Sequence, residues 1–278
     1  MFETVGSVHQ TAFYSLLAGL ALLEMYLPCR GRALDLAARW PCNIGLFVAN
    51  VLLHRFVLPV SAIALAASPH TTSLALLPET IIGGAIGIGV AVASLDFSKY
   101  VEHRLFHRYR FLWRIHLVHH ADTELDFTTS ERHHPLEALL GYPIMLTLVV
   151  VMNLPPEGVA VYAVLSSVVN MWSHADVKWP PRLQSTLRPL FVTPDMHEVH
   201  HSAERPETDS NYGLVFSVWD RALGTYVGPT AEGSERRTIG LEYLRDVRDH
   251  KLVRTLGLPF VRDPISRQGS IKSRQTAE

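Results

Sequence analysis

The chain has 278 residues, enough for one large domain or two small ones, and its formal net charge of -1 gives no reason to expect nucleic acid as a partner. Hydrophobic residues make up 48% and charged residues only 18%, a composition that is apolar for a soluble protein and favours a membrane protein. Two cysteines, Cys29 and Cys42, are too few for a disulfide framework or a cysteine-based zinc site.

The first two apolar segments predict helices in a bilayer. Residues 11–28 approach the length of a membrane span, and the segment before them lacks the basic residues of a cleaved signal peptide, so we expect a retained helix. Residues 44–67 are longer, but His54 and Arg55 lie near their centre and Pro59 follows. Because charge is costly inside a bilayer, we expect this second segment to be broken, tilted or partly interfacial.

Two further apolar regions follow. Residues 76–95 are rich in glycine and other small residues, which allow close packing between helices in lipid. Residues 137–173 consist of two apolar runs divided at Pro155 and Pro156, and this pattern predicts a hairpin that enters the membrane and returns.

The positions of the arginines predict the orientation of these helices. Arginines follow the first and third segments, whereas the connections at 68–75 and 153–157 contain neither lysine nor arginine. By the positive-inside rule, five crossings place the C-terminus and the charged segments on either side of the hairpin on the cytoplasmic face. We therefore expect membrane-spanning helices in residues 1–95, a histidine-rich domain in 96–228 that includes the hairpin, and a partly disordered extension in 229–278.

Histidines are concentrated in three short motifs. The sequence HRLFH spans 103–107, HLVHH spans 116–120 and HEVHH spans 197–201. Their spacings of three and four residues place the histidines of each motif on one face of a helix, where their rings can converge on metal. Eight imidazoles exceed the ligand set of one zinc ion, so the pattern indicates two metal ions.

The identity of the metal follows less directly. Imidazole suits zinc, copper, iron and nickel alike. We favour iron because two neighbouring redox-active ions at a lipid interface can activate O2 against a C–H bond, whereas zinc has no redox chemistry.

HEVHH also permits a second interpretation, since H-E-x-x-H is the motif of zinc proteases, with the glutamate as general base. The motif at 116–120 has the same three histidines with Leu117 in place of Glu198. The shared element is therefore the histidines, and we expect Glu198 to be dispensable. Three alternatives remain: an intramembrane zinc metalloprotease, a metal transporter, and a zinc-filled membrane protein without catalytic activity.

These three motifs, together with ERHHPLE, WSHADVKWP and the NYG and WDRALGT segments, resemble the fatty acid hydroxylase and sterol desaturase superfamily over about residues 95–228. The resemblance implies an all-α fold: a multi-span membrane helical bundle with a cytosolic helical cap that carries a histidine-rich di-metal site. It implies two iron ions, O2 as co-substrate, a lipid or sterol-like substrate from the bilayer, and an external electron donor of the ferredoxin or cytochrome type. The metal ligands it implies are His103, His107, His116, His119, His120, His197, His200 and His201, with His174 as a further ligand and His134 as a weaker candidate.

Overall fold

A computed structural model describes residues 2–30, 36–68, 76, 83–229 and 237–261, and the described residues contain helices but no β-strand, with isolated bridges such as Ser202 to Ile239. In chain order the α-helices are α1 (Phe2–Tyr26), α2 (Leu36–Phe56), α3 (Ala62–Ala67), α4 (Gly84–Arg108), α5 (Arg110–His120), α6 (Pro135–Val151), α7 (Pro156–His174), α8 (Pro181–Leu187), α9 (Pro194–His200), α10 (Arg205–Thr208), α11 (Val218–Ala222) and α12 (Leu252–Gly257). Short 3-10 helices span Phe127–Glu131, Val247–His250 and Leu258–Phe260.

Two of the described helices, α2 and α4, are long and apolar enough to cross a membrane. Parts of α1 and α6 are equally apolar over shorter lengths. Large apolar side chains point outward along these helices, including Met25, Val51 and Ile86. The full set of five crossings stays a prediction, and residues 77–82 of the third predicted segment lie outside the described residues.

The predicted segment 44–67 is divided in two. Helix α2 ends at Phe56, α3 begins at Ala62, and Pro59 lies in the connection between them. Because proline has no N–H to donate, a helix cannot continue unbroken through this residue. His54 and Arg55 therefore occupy the last turn of α2 rather than the middle of a span.

The first half of α2 carries polar side chains that are buried in the protein. Arg39 is 1% exposed; its guanidinium donates to Asp122 Oδ2 at 2.7 Å and to Asp126 Oδ2 at 2.8 Å. Asn43 donates to Thr128 Oγ1 at 2.9 Å. A buried charge persists only where opposite charges and hydrogen bonds compensate it, so these contacts fix the segment after α5 against α2.

Residues 137–173 form two helices, α6 and α7, with a turn between them, and their entry into a membrane as a hairpin stays a prediction. Helix α6 ends at Val151, and α7 starts at Pro156, where proline is tolerated because the first helical N–H has no partner within the helix. Gly158 allows α7 to approach α4 closely, since a Cβ at this position would lie 2.5 Å from the Cβ of Ala91. The hairpin is thus packed against the helix that carries the first histidine motif.

Residues 237–261 of the C-terminal extension are folded onto the histidine-rich domain. Gly240 N–H donates to His201 O at 3.0 Å. Leu241 and Leu258 are buried in one apolar cluster with Cys42 and Leu46 of α2. The burial of these leucines supplies the apolar contact that the charged sequence around them did not reveal. Residues 230–236 and 262–278 lie outside the described residues.

Candidate metal centre

The three histidine motifs come together with His174 at the centre of the molecule. The first motif lies on α4, the second on α5, the third on α9 with one residue beyond its end, and His174 is the last residue of α7. Their ring nitrogens form two groups in which all ligand atoms lie within 4.8 Å of one another. The larger group contains His103, His107, His116, His120 and His200, and the smaller contains His119, His174, His197 and His201.

In the smaller group the Nε2 atoms face each other. His174 Nε2 lies 3.3 Å from His119 Nε2 and 3.1 Å from His197 Nε2, and His197 Nε2 lies 3.2 Å from His201 Nε2. Metal–imidazole bonds of about 2.0–2.1 Å place neighbouring ligand nitrogens roughly 3.0–3.4 Å apart, depending on the coordination geometry. These three distances match the spacing of neighbouring ligands around one ion.

The larger group shows the same convergence. His103 Nε2 lies 3.0 Å from His116 Nε2. Within the described residues, His107 Nε2, His200 Nε2 and both ring nitrogens of His120 are buried without a hydrogen-bond partner. Buried polar atoms are nearly always partnered in native proteins, so a metal ion is the group that these nitrogens fit. The donor set is entirely imidazole, which suits iron and zinc alike.

The two groups adjoin each other. The ring of His120 lies 4.7 Å from that of His201, and the ring of His116 lies 5.4 Å from that of His119. Two ions held by these groups would therefore be close neighbours within one buried centre.

Backbone carbonyl oxygens orient several of the rings. The Nδ1 atom of His103 lies 2.9 Å from Tyr212 O, that of His174 lies 2.7 Å from Asn170 O, and that of His200 lies 2.6 Å from Ser210 O. A carbonyl oxygen can only accept, so Nδ1 carries the proton and Nε2 keeps its lone pair for a metal.

The loop that supplies two of these carbonyls is itself held by buried polar residues. Asp220 accepts from the N–H groups of Tyr212 and Gly213, both at 2.8 Å. Asn211 Nδ2 donates to Met196 O at 3.0 Å, which ties the loop to α9. The NYG and WD segments therefore position the histidines through backbone hydrogen bonds, and the ring of Tyr212 also packs against the rings of His107 and His200, with ring centres 5.1 and 5.9 Å apart.

Burial keeps the imidazoles of the centre neutral. It lowers the pKa of His201 well below its usual value, with neighbouring imidazoles as the second cause. Burial likewise lowers the pKa of His200 to about 3. The neutral ring is the form that binds metal, so the site is prepared for metal at physiological pH.

The structure places nine of the ten expected ligands in the two groups and leaves His134 outside them. His134 caps α6: its Nδ1 accepts from Leu136 N–H at 3.1 Å, and its Nε2 lies 3.1 Å from Leu256 O. Both ring nitrogens are thus engaged in hydrogen bonds, which corrects the suggestion that His134 is a ligand.

Two residues beside the larger group, His133 and Glu137, were not predicted from the sequence. Glu137 Oε2 lies 3.1 Å from His116 Nδ1 and 3.1 Å from His133 Nδ1. The ring of His133 also stacks on that of His119 at 4.4 Å. Burial acts to lower the pKa of His133, but the adjacent Glu137 carboxylate favours the protonated ring more strongly. The pKa of His133 is therefore raised above its usual value. The spacing of four residues between His133 and Glu137 is the sequence signal for such a pair.

Glu198 belongs to neither group and forms an ion pair with Arg30 at 3.2 Å. Arg30 also pairs with Asp176 at 3.0 Å. The glutamate of the H-E-x-x-H motif therefore has a structural partner, and the geometry gives no support to its use as a general base.

A cavity of about 390 Å³ opens beside the centre. Histidines from both groups line it, together with apolar side chains of α4, α6 and the segment before α11. The lining includes the histidines His116, His119 and His174 and the apolar side chains of Phe106, Met145 and Leu214. Most of the cavity surface is apolar, and polar atoms of histidine, glutamate, asparagine and tyrosine side chains also line it, which fits a molecule with a large apolar part.

Comparison with known proteins gives one family. The model of the fatty acid hydroxylase family matches residues 88–225. The ornithine lipid hydroxylase OlsE of Rhizobium tropici is 27% identical over 147 residues, which are 53% of this chain and 43% of that protein. The alkylglycerol monooxygenase of Homo sapiens is 29% identical over 139 residues, 49% of this chain and 29% of that protein.

A third relative is matched over more of its length. The very-long-chain aldehyde decarbonylase GL1-9 of Oryza sativa is 29% identical over 187 residues, 65% of this chain and 69% of that protein. The chain thus spans less than half the length of the first two relatives and about two thirds of the third. No solved structure matches the chain.

Proposed function

Because this chain belongs to the fatty acid hydroxylase family through residues 88–225, we propose that it is an O2-dependent membrane oxidoreductase that hydroxylates, or desaturates, a lipid or sterol-like substrate. The observation that carries the proposal is the position of two adjoining histidine groups along one wall of a cavity with apolar side chains. The relatives named as a lipid hydroxylase, a monooxygenase and an aldehyde decarbonylase support chemistry on long-chain lipids.

The nine histidines of the two groups would hold two iron ions. When bound, iron supplies the redox chemistry by which O2 attacks an unactivated C–H bond. The protein contributes orientation and shelter: the carbonyls of Tyr212 and Ser210 hold the rings of His103 and His200, and burial excludes water from the centre.

The cavity would hold the alkyl part of the substrate. Phe106, Met145 and Leu214 supply its apolar surface, and His119 and His174 place the metal groups at its wall. A substrate C–H bond would then be held next to the centre, which is the positioning that catalysis requires. The choice between hydroxylation and desaturation depends on the carbon so placed.

We further propose a multi-pass membrane protein with the histidine motifs and C-terminus on the cytoplasmic side. The lengths of α2 and α4 and the arginines next to the apolar segments support this arrangement. A separate ferredoxin or cytochrome would reach the centre from that side and deliver the electrons.

Metal analysis and lipid analysis together test the proposal. Protein purified from iron-replete cells is expected to contain about two irons per chain, and cells that express it are expected to gain a lipid with one added oxygen or two fewer hydrogens. His119→Ala should abolish that lipid change, whereas His250→Ala, in neither group, should keep it. Stoichiometric zinc that iron cannot replace without loss of function would instead identify a zinc-filled protein or a protease.

A further inference from the structure

Among the described residues, three buried polar atoms of side chains that line the cavity have no hydrogen-bond partner. They are Asn50 Oδ1, Glu137 Oε1 and Tyr162 Oη. Tyr162 is only 4% exposed, so solvent at the surface does not satisfy its hydroxyl. Leaving such groups unpaired costs free energy, and three in one cavity point to a bound molecule that pairs with them.

Two of the three atoms are acceptors that flank the same residue. Asn50 Nδ2 donates to His133 O at 2.8 Å, and Glu137 Oε2 lies 3.1 Å from His133 Nδ1. The second oxygen of each side chain, Oδ1 of Asn50 and Oε1 of Glu137, is the one left without a donor. An amide oxygen and a carboxylate oxygen can only accept, so the missing partner must donate.

The charges of the cavity also restrict the partner. Glu102, Glu131 and Glu137 line it, and Lys99 is the one lysine or arginine among its lining residues. Lys99 Nζ is already bound to Glu102 Oε1 at 2.8 Å. A phosphate or carboxylate group would bring further negative charge beside Glu137 and could not donate to Asn50 Oδ1 or Glu137 Oε1, so both acceptors would stay unpaired.

The third atom, the hydroxyl oxygen of Tyr162, can be compared with the hydroxyl oxygen of Tyr142. Tyr142 lines the same cavity, but its hydroxyl donates to Val60 O at 2.7 Å and accepts from Ala62 N–H at 3.3 Å. The hydroxyl of Tyr162 has no such partners. Of the two tyrosines, Tyr162 is therefore the one that is available to a ligand.

We propose, on the basis of the function proposed above, that the cavity selects a lipid with a non-anionic polar group that donates hydrogen bonds to Glu137 Oε1 and Asn50 Oδ1 and pairs with Tyr162 Oη. A hydroxyl, an amide N–H and an ammonium group all have this chemistry. Glu137 also contacts His116 of the larger histidine group, at 3.1 Å. The carbon that reacts therefore lies within a few bonds of the polar group rather than far along the alkyl chain.

Binding of four matched probes tests this selection: 1-hexadecanol, hexadecylamine, hexadecyl phosphate and hexadecane. The full-length iron-loaded protein in detergent is kept free of O2, so that binding is measured without turnover, by native mass spectrometry. We expect the alcohol or the amine to bind about tenfold more tightly than the alkane and the phosphate, as expected for one or two new hydrogen bonds. Comparing the affinities for the alcohol and the amine shows whether the cavity prefers a neutral or a cationic polar group.

Two single-atom variants provide the matched control. Tyr162→Phe is expected to weaken binding of the preferred probe about three- to tenfold and to leave hexadecane unchanged. Tyr142→Phe should change neither affinity. Without ligand, Tyr162→Phe should keep or raise the melting temperature, because it removes an unpaired buried hydroxyl, whereas Tyr142→Phe should lower it.

Equal binding of all four probes, tighter binding of the phosphate, or identical effects of the two tyrosine variants would each overturn the proposal. A separate result tests the function proposed above. The iron-loaded protein is given O2, a reductant and the probes or cellular lipids. If the alcohol or amine binds as expected but no lipid is modified, the binding site is supported and the oxygenase assignment is wrong.

Discussion

The carboxylate of Glu198 lies 3.2 Å from the guanidinium of Arg30, and both side chains are buried. Glu198→Gln removes the ion pair but keeps hydrogen-bonding atoms in place, so we expect it to retain both metals and the lipid-modifying activity. The free energy of unfolding should fall by about 1–3 kcal/mol, because Arg30 keeps Asp176 as a partner. Metal content, activity and chemical unfolding would be compared with Glu157→Gln, an exposed control. Loss of all activity with full metal content would restore the protease interpretation.

Replacing one histidine of either group should remove the metal ion of that group and leave the ion of the other group bound. His107→Ala is expected to remove the ion of the larger group, and His174→Ala that of the smaller, so each variant should retain about one metal per chain. Elemental analysis of protein purified side by side measures this directly, with His250→Ala as the control that keeps two. If either variant lost both metals or neither, two independent ions would be the wrong description.

Arg39 should be required for stability rather than for chemistry. Arg39→Met leaves the carboxylates of Asp122 and Asp126 buried without their shared partner, and breaking such a pair costs about 3–5 kcal/mol. We expect a large drop in the melting temperature of the purified protein. Arg55→Met, at the end of the same helix, provides the control, and an equal effect of the two variants would argue against the special role of the buried network.

The metal-free protein should lose stability as the pH falls. The pKa of His200 is lowered to about 3 in the folded protein by burial, whereas the unfolded chain takes up the proton near 6.5. The unfolded state therefore binds more protons between these values, and each such histidine lowers the free energy of unfolding by about 1.4 kcal/mol per pH unit below 6.5. Urea unfolding of chelator-treated protein at pH 7.5 and 5.5 measures the difference. Stability that is unchanged or higher at pH 5.5 would contradict the burial of neutral imidazoles.

Gly158 should be hard to replace, because it lies where α7 packs against α4. Gly158→Ala places a Cβ 2.5 Å from that of Ala91 and 3.2 Å from the Cα of Ile88, so the helices must separate, at a cost of about 1–3 kcal/mol. Gly19→Ala meets no atom within 4 Å and should be neutral or slightly stabilising, because alanine favours the helix. Thermal unfolding of the two variants compares them, and similar melting temperatures would show that the α4–α7 contact is not tight.

The sequence predicted the parts of the centre that depend on local spacing. Histidines three and four residues apart share a helical face, so the spacing alone indicates which rings of each motif can point in one direction. Pro59, Pro155 and Pro156 likewise marked the break after α2 and the turn of the hairpin, because proline ends helices through its own covalent structure.

Contacts between distant segments could not be predicted in this way. Glu198 meets Arg30 and Arg39 meets Asp122 across more than 80 residues of sequence, and no period or motif relates such pairs. His134 illustrates the converse: its His-Pro motif suggested a ligand, but the same proline starts α6 and makes His134 the cap of that helix. The division of nine histidines into groups of five and four also depends on packing, since neighbours such as His119 and His120 belong to different groups.

This interleaving of the ligands affects how the protein can be made. The larger group includes histidines of the first motif and of the last, and the smaller includes His174 and two histidines of the last motif. Neither group is therefore complete until the ribosome has translated the last motif, which ends at His201. Metal binding stabilises only a chain in which the site exists, and partial chains gain nothing from it. A cell short of the metal would accumulate fully translated but unfilled protein, and that pool, rather than nascent chains, is where chaperones and proteases would act on it.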